Sequence, residues 1–136
     1  MMPIIHHLID SIQQRSIFKS VDFLVVVQAL EGYQRRFFDN EPEKDKTLEY
    51  RLKNLINSFS KEILAARGIN IKCAVDSRNY YSHFYDKADH MQIAKGVKLY
   101  NLTNKLRYLL ICCLLHELGL DNGRINEVIQ KHTGKL

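Results

Sequence analysis

The stretch that decides the fold is residues 99–115, which read LYNLTNKLRYLLICCLL. Its apolar residues recur at three- and four-residue spacing, the period that gathers side chains on one face of an α-helix. Its last seven residues, 109–115, are apolar on every side. We therefore predict a long helix whose end is covered on several sides, by other helices or by a partner chain. The predicted stripe consists of Leu99, Leu102, Leu106, Leu109, Leu110 and Cys113.

Helical patterns extend outward from this stretch in both directions. The 136 residues include only two prolines and six glycines, which favours helix. The β-branched run 25–27 leaves a strand open, but the apolar stripe around it is too long for one. We predict an all-α fold, an antiparallel four-helix bundle with additional short flanking helices. The predicted helices cover residues 4–14, 20–38, 48–67, 71 to 84 or 85, and 88–118, and a last helix ends before Gly134. Ser20, Thr47 and Asp121 are the predicted N-caps of the second, third and last helices, and Gly119 stops the helix 88–118.

Length and charge restrict the class of protein. The length of 136 residues predicts a single domain, and the formal net charge of +5 is compatible with a polyanionic partner without requiring one. The longest apolar run, residues 108–115, is far short of the roughly 20 residues that span a bilayer. No secretory signal is visible at the start. We expect a cytoplasmic protein without membrane contact.

Cysteine and histidine spacing gives no metal signature. Cys112 and Cys113 are adjacent inside an apolar run, which is typical of buried small side chains. The pair His6 and His7 and the isolated His116 lack the ligand spacing of a metal site. We expect no metal and no cofactor.

The residues that carry chemistry form a short motif, Arg78-Asn79-Tyr80-Tyr81-Ser82-His83. Arginine is a permanent cation with donors that fit a phosphate, and histidine moves protons near neutral pH. Cleavage of RNA without a metal needs both, because a 2′-hydroxyl must lose a proton while charge builds on the phosphate.

The spacing within the motif favours a site shared by two chains. Residues five apart on a helix are separated by about 140°, so Arg78 and His83 do not share a face, whereas Asn79 and His83 do. Two copies around a two-fold axis would bring two arginines and two histidines to one phosphate.

Simpler interpretations stay open for each of these residues. His83 would also suit the last turn of a structural helix, and Arg78 would also suit solvent or a pairing with Asp76 or Asp86. Glu31 and Arg35 are spaced for a local salt bridge. The aromatic cluster would stack on RNA bases or pack into core and interface, and the basic stripe would follow a nucleic-acid backbone or face solvent. The cluster is Tyr80, Tyr81, Phe84 and Tyr85; the stripe is Lys95, Lys98 and Lys105.

Three segments together resemble one family. They are the motif 78–83, the preceding helix 23–36 with its glutamate and paired arginines, and the segment 114–120 that ends the following helix. Over about residues 20–120 the chain is similar to the HEPN superfamily (higher eukaryotes and prokaryotes nucleotide-binding), and most of all to its ApeA-like branch of bacterial abortive-infection proteins.

The resemblance implies a dimeric helical domain, often a metal-independent endoribonuclease, at the end of a longer protein. Arg78, His83 and Asn79 would then be catalytic, with Glu31 and Tyr81 as supporting candidates. We predict a homodimer with a composite site that leaves a 2′,3′-cyclic phosphate on RNA. We also expect the chain to be the C-terminal part of an anti-phage protein whose N-terminal sensor domain is absent from it. The alternative is a catalytically silent module for dimerisation or for binding nucleotides or RNA.

Overall fold

The computed structural model describes residues 16–41, 44–83 and 91–133. Within these ranges the chain contains helices and no strand, so the prediction of an all-α fold is confirmed. The predicted helix 4–14, the histidine pair at 6 and 7, and the aromatic residues Phe84 and Tyr85 lie outside the described residues. The helices are α1 (Ser16–Tyr33) with a π-helical continuation (Gln34–Phe38), α2 (Leu48–Phe59), a 3₁₀ turn (Leu64–Ala66), α3 (Ile71–His83), α4 (Val97–Glu117) and α5 (Asn122–Thr133).

Helix α4 forms the centre of the core, as its apolar stripe predicts. Five of the six stripe residues are buried, and Leu110 is partly buried. Helix α1 packs against α4 more extensively than against any other helix, with Phe23, Val27 and Leu30 almost fully buried. Each such side chain contributes about 1.5–3 kcal/mol through its removal from water, so this pair makes a large contribution to the stability of the fold.

Two contacts give the direction of α1 relative to α4. Asp22 accepts a hydrogen bond from Arg107, and further along α1 Tyr33 donates one to Glu117 with an O–O distance of 2.7 Å. The two helices therefore run in the same direction. Helix α3 runs against α1, because Glu31 meets Arg78 while the earlier Phe23 meets the later Tyr81.

The arrangement is therefore not a purely antiparallel bundle. Directions that alternate along the chain would make α1 and α3 parallel and α1 and α4 antiparallel, whereas both pairs have the opposite relation. The connections 39–47 and 60–70 on either side of α2 are longer than those that usually join antiparallel neighbours in a bundle. Long connections allow the chain to depart from simple alternation of direction.

Helix boundaries follow local capping where caps exist. The Thr47 hydroxyl accepts the amide hydrogen of Tyr50 at an N–O distance of 3.1 Å. The Asp121 carboxylate likewise accepts that of Arg124 at 2.8 Å. The predicted N-caps Thr47 and Asp121 are therefore confirmed. Gly119, with φ of +93°, follows the end of α4 as predicted.

Three predicted boundaries are wrong. Ser20 lies inside α1, which already includes Ser16. Helix α4 begins at Val97 and not near residue 88, because residues 91–95 are not helical and Gly96 adopts a φ of +59°. Helix α2 ends at Phe59 and not at residue 67, since the chain turns through a 3₁₀ segment before Gly68.

A π-helical turn changes the register at the end of α1. The apolar stripe predicted for this helix continues through Leu30 and Tyr33 to Phe37 at three- and four-residue spacing, so Phe37 is expected on the buried face. Its side chain is instead 53% exposed, and Gln34 is buried in its place. A π-helical turn contains more residues than an α-helical turn, so each later side chain points in a shifted direction. As a result Gln34 points inward and Phe38 packs against Phe59, with ring centroids 5.9 Å apart.

The buried Gln34 belongs to a polar cluster that joins α1 to α2. The guanidinium of Arg51 donates to the side-chain oxygen of Gln34 and lies 3.2 Å from the carboxylate of Asp39, which also pairs with Lys46. Gln34 in turn donates to Asn54 at 3.2 Å. Because unpaired polar groups in the interior are costly, these bonds hold the end of α1 on α2.

We predict that Asp39→Asn lowers the melting temperature at neutral pH. The hydrogen bond from Lys46 holds the pKa of Asp39 below its ordinary value against the opposing effect of burial, and the Glu41 amide and Arg51 add to the lowering. A carboxyl group with a lowered folded-state pKa stabilises the protein above its unfolded pKa of about 4 and loses that effect as the pH falls through the folded value.

Melting curves between pH 7 and pH 2 test this prediction. The parent and Asp39→Asn should differ at pH 7 and converge in acid. Glu49→Gln, which removes an exposed pair with Lys53, is the matched control and should differ little from the parent throughout. A constant difference at all pH values would contradict the proposed ionic role.

Candidate functional site

The motif lines a cleft between α1 and α3. Three of its residues, Arg78, Tyr81 and Ser82, lie at positions i, i+3 and i+4 of α3 and therefore share one face. The cleft has a volume of about 730 Å³, and α1, its π-helical continuation and α2 supply its other walls. The remaining described residues that line it are Leu24, Val27, Gln28, Glu31, Gly32, Arg35 and Arg51.

Arg78 is held on the wall of the cleft by Glu31. One terminal guanidinium nitrogen lies 3.4 Å from the Glu31 carboxylate, and both side chains are partly exposed. The Nε atom of Arg78 is buried and has no hydrogen-bond partner among the described residues. A buried donor without an acceptor is costly, and an anion bound in the cleft could supply that acceptor.

This ion pair is neither the Arg78–Asp76 pair nor the local Glu31–Arg35 pair that the sequence suggested. Asp86, the other suggested partner of Arg78, lies outside the described residues. Asp76, an expected partner of Arg78, instead accepts from Lys72 at 2.8 Å and from the amide of Gln92 at 2.9 Å. Glu31 contacts Arg78 on α3, although the sequence predicted a local salt bridge between Glu31 and Arg35. The contact spans 47 residues of sequence, so helix spacing alone gives no sign of it.

The other two predicted catalytic residues lie elsewhere on α3. Asn79 is half-buried and is not part of the cleft lining, and its side chain makes no hydrogen bond to another residue of the described part. His83 is the last residue of α3, and its side chain lies outside the description. Its position is about 140° around the helix from Arg78. The roles assigned to Asn79 and His83 stay predictions.

Tyr81 anchors the segment 91–95 to α3. Its hydroxyl donates to the carbonyl oxygen of Ala94 at 2.7 Å, and burial raises the pKa of Tyr81. The amide of Ala94 donates to the buried hydroxyl of Ser77 at 2.9 Å. Tyr81 therefore has a packing role, as the simpler interpretation of the aromatic cluster predicts, while also lining the cleft.

The basic stripe does not form one continuous surface for a nucleic acid. Lys95 lies over the ring of Tyr80, 5.2 Å from its centroid, and Lys105 donates to the carbonyl of Gly68 at 3.0 Å. Lys98 is exposed. Two of these three lysines thus make local contacts, whereas the arginines of the cleft converge on one site.

Sequence reasoning missed Arg51 as a site residue and treated Arg35 only as a local partner of Glu31. A signal for Arg51 was present, because it occupies position i+3 of the buried stripe that begins at Leu48 and continues through Leu52. A charged residue on a buried face predicts a paired, specialised role. Gln28 and Ser82, which also line the cleft, had no comparable signal.

The cysteines are packed in the core. Cys112 and Cys113 are fully buried, and burial raises the pKa of Cys112 to about 11 and that of Cys113 further, so both remain thiols at neutral pH. Among the described residues, no group of three or more potential metal ligands lies together. Nor does this part of the chain contain a helix that is long and apolar enough to cross a membrane.

We predict that Tyr81→Phe lowers the free energy of unfolding by about 1 kcal/mol, because the Ala94 carbonyl loses its donor. Denaturant unfolding measures this difference. Tyr100→Phe is the matched control, since Tyr100 is 54% exposed. Equal stability of the two variants would mean that the Tyr81 hydroxyl does not hold the segment 91–95.

The comparisons with known proteins place the chain in a family. A model of the Apea-like HEPN family matches residues 24–124, which include the cleft and all five predicted site residues. Because this match covers well over half of the sequence, the chain belongs to the Apea-like HEPN family. Searches of curated proteins and of solved structures gave no match.

Proposed function

We propose that this Apea-like HEPN domain is a metal-independent endoribonuclease that cleaves RNA by attack of the 2′-hydroxyl on the adjacent phosphate. HEPN domains are commonly ribonucleases associated with defence, and we extend this to an anti-phage, cytoplasmic role for this chain. The observation that carries the proposal is the environment of the Arg78 guanidinium group. It lines a cleft, holds one long ion pair, and has a buried donor without an acceptor among the described residues.

Arg78 would stabilise the phosphorane-like transition state. The attack of the 2′-oxygen on phosphorus leaves extra negative charge on the non-bridging oxygens, and a guanidinium fork is the side chain best matched to them. Glu31 would act as a positioning residue, because its carboxylate keeps the guanidinium on the cleft wall in the absence of substrate. The pair is loose enough, at 3.4 Å, for a phosphate to compete for the same donors.

His83 would transfer the proton, as general base toward the 2′-hydroxyl or as general acid toward the leaving 5′-oxygen. Asn79, one helical turn earlier, would orient the imidazole or contact the phosphate. The products would be a 2′,3′-cyclic phosphate and a 5′-hydroxyl end. Since the nucleophile belongs to the RNA itself, this reaction requires no metal-activated water.

We propose a homodimer that combines Arg78 and His83 from two protomers. The angular separation of the two positions on α3 supports this arrangement. An exposed apolar surface on α4 also supports it, formed by Ile111 and Leu114, which are 41% and 54% exposed. A second groove, lined by Leu110 and Leu114, adjoins the cleft, because Gly32 and Arg35 line both. An N-terminal sensor domain in the complete protein would control the activity.

The alternative is a catalytically silent module that dimerises or binds nucleotides or RNA. The exposed apolar surface of α4 would serve such a module equally well. The presence of both Arg78 and His83 favours the enzyme, since a silent module has no need of the proton-transfer group. Cleavage assays on variants separate the two functions.

We predict that Arg78→Ala and His83→Ala each lower RNA cleavage by about 10²-fold or more while the protein stays folded. The Arg78–Glu31 pair is partly exposed, so its loss should cost no more than about 1 kcal/mol. Cleavage of a labelled RNA, with circular dichroism and melting of each variant, measures both effects.

Matched controls come from exposed residues of the same types. Arg124→Ala and His132→Ala should both cut RNA as the parent does. The Arg124 side chain is 66% exposed in its ion pair with Glu127, and His132 is exposed. If Arg78→Ala or His83→Ala unfolds, that residue is structural. If both fold and cut as well as the parent, the active site lies elsewhere.

We predict that cleavage persists in EDTA and stops when the ribose at the cut site carries a 2′-methoxy group. The blocked oxygen has no proton to lose and cannot form the cyclic phosphate, and DNA, which has no 2′-oxygen, should also resist cleavage. Gel analysis with chemical identification of the ends tests both points. Cutting at the blocked position, or strict dependence on added magnesium, would contradict the mechanism.

We predict a dimer at micromolar concentration, which light scattering measures. Leu114→Glu should shift the protein toward monomer and reduce cleavage, because it places a charge in the exposed apolar surface of α4. Leu64→Glu, at a residue 51% exposed in the 3₁₀ turn, is the matched control and should leave the dimer intact. A strict monomer that still cuts RNA would contradict the composite site.

A further inference from the structure

We infer that the buried Ser77 is a positioning residue for the reaction, because it fixes the last turn of α3, residues 80–83, against the segment 91–95. The inference deepens the proposed function and rests on it, since α3 is the helix that carries Arg78 and His83. It assigns a role in the reaction to a side chain that does not line the cleft.

Two side chains of α3 bind both backbone polar groups of Ala94. The Ser77 hydroxyl accepts the Ala94 amide hydrogen at an N–O distance of 2.9 Å, and the Tyr81 hydroxyl donates to the Ala94 carbonyl at 2.7 Å. Ser77 and Tyr81 are one helical turn apart on the same face, so they hold Ala94 at two points. Ser77 is fully buried and Ala94 is 2% exposed. Loss of the Ser77 hydroxyl would therefore displace the segment or leave a buried amide unpaired, which is costly.

The same segment is bound to α3 a second time, through Gln92. The Gln92 amide donates to the Asp76 carboxylate at 2.9 Å, and its side-chain oxygen accepts from Asn70 at 3.1 Å. Asn70 also accepts the amide hydrogen of Cys73 at 3.0 Å and so caps the start of α3. Together with the two bonds to Ala94, these contacts support α3 from its beginning to its last turn.

The supported turn carries the proposed proton-transfer group. The last four carbonyl groups of a helix have no partner within the helix, and helix ends open more readily than helix centres. Tyr81 lies two residues before His83, and its ring contacts Phe23 on α1 with centroids 6.3 Å apart. Arg78 is bound from α1 by Glu31. The end of α3 is therefore held on two sides, by α1 and by the segment that contains Ala94.

A second buried hydroxyl provides a comparison. Thr103 on α4 is 4% exposed and donates to the carbonyl of Leu99 in its own helix at 2.8 Å. Ser77 instead binds a residue outside its helix, 17 positions along the chain, and directly precedes Arg78. Because a displacement of about 1 Å at a reacting group costs on the order of 10²-fold in rate, a bond at this position affects the reaction as well as the fold.

Steady-state kinetics and amide hydrogen exchange of Ser77→Ala test the inference. The substrate is a labelled RNA, and the temperature is one at which every variant is folded. Since Ser77 does not line the cleft, its loss should lower kcat by about tenfold and leave KM within about twofold of the parent value. Exchange of the amides 80–83 should become faster, whereas exchange of the amides 106–113 in α4 should not change.

Two variants are matched controls. Thr103→Val removes the buried hydroxyl that has a partner in its own helix. Ile125→Val removes one methyl group from a fully buried side chain on α5. Both should keep the kcat of the parent, even where the melting temperature falls by a few degrees. If Ser77→Ala does not fold, Tyr81→Phe, which removes the other bond to Ala94, takes its place under the same criteria.

The kinetic and exchange results separate failure of the inference from failure of the proposed function. A folded Ser77→Ala that retains the kcat of the parent, or whose amides 80–83 exchange as in the parent, would overturn the inference alone. The same conclusion follows if Ile125→Val loses as much kcat at an equal fall in melting temperature. A parent protein that cuts no RNA would remove the proposed function and the positioning role with it.

Discussion

The structure depends on the pairing of one buried charge. Arg51 is only 4% exposed, on a helix face that otherwise carries leucines. A charge in such a place is tolerated only when it is paired. The π-helical turn at the end of α1 brings Gln34 inward to accept from it, and the following loop brings Asp39. Because removal of one partner would leave a buried charge uncompensated, the cluster fixes the end of α1 on α2.

This constraint shapes the cleft. The end of α1 and its π-helical continuation carry Glu31 and Arg35, and α2 carries Arg51, so the cluster that joins the two helices also sets where these charges lie. Helix α3 completes the site with Arg78, while Tyr81 and Ser77 bind the segment 91–95 to it. The proposed chemistry thus rests on a rigid frame in which Arg78 and Glu31 are left partly exposed.

The sequence predicted those features that depend on neighbouring residues. The buried stripe of α4, the caps at Thr47 and Asp121 and the burial of Cys112 and Cys113 all follow from local spacing, and the structure agrees. The burial of Gln34 in place of Phe37 could not be predicted, because a single extra residue in a helical turn leaves no trace in the apolar period. The predicted start of α4 is too early because the residues before Gly96 fit a helix as well as a loop.

The candidate site was predictable only where its signal lies in neighbouring residues of the sequence. Arg78 and Glu31 were identified from the motif and the family pattern, but their mutual contact joins two distant segments and needs the fold. Arg51 had a signal, an arginine among buried leucines, that a search for charged residues on apolar faces would have found. Arg35 acquires significance only from the cleft, since in the sequence it is one of two adjacent arginines.

The central claim is that Arg78 of one protomer and His83 of its partner act on the same phosphate. Mixing the two inactive variants, Arg78→Ala and His83→Ala, tests it most directly, because subunit exchange produces dimers in which one protomer supplies the arginine and the other the histidine. The account predicts that the mixture regains RNA cleavage that neither variant has alone. A mixture that exchanges subunits, as measured by energy transfer between labelled protomers, and still remains as inactive as its components would contradict it.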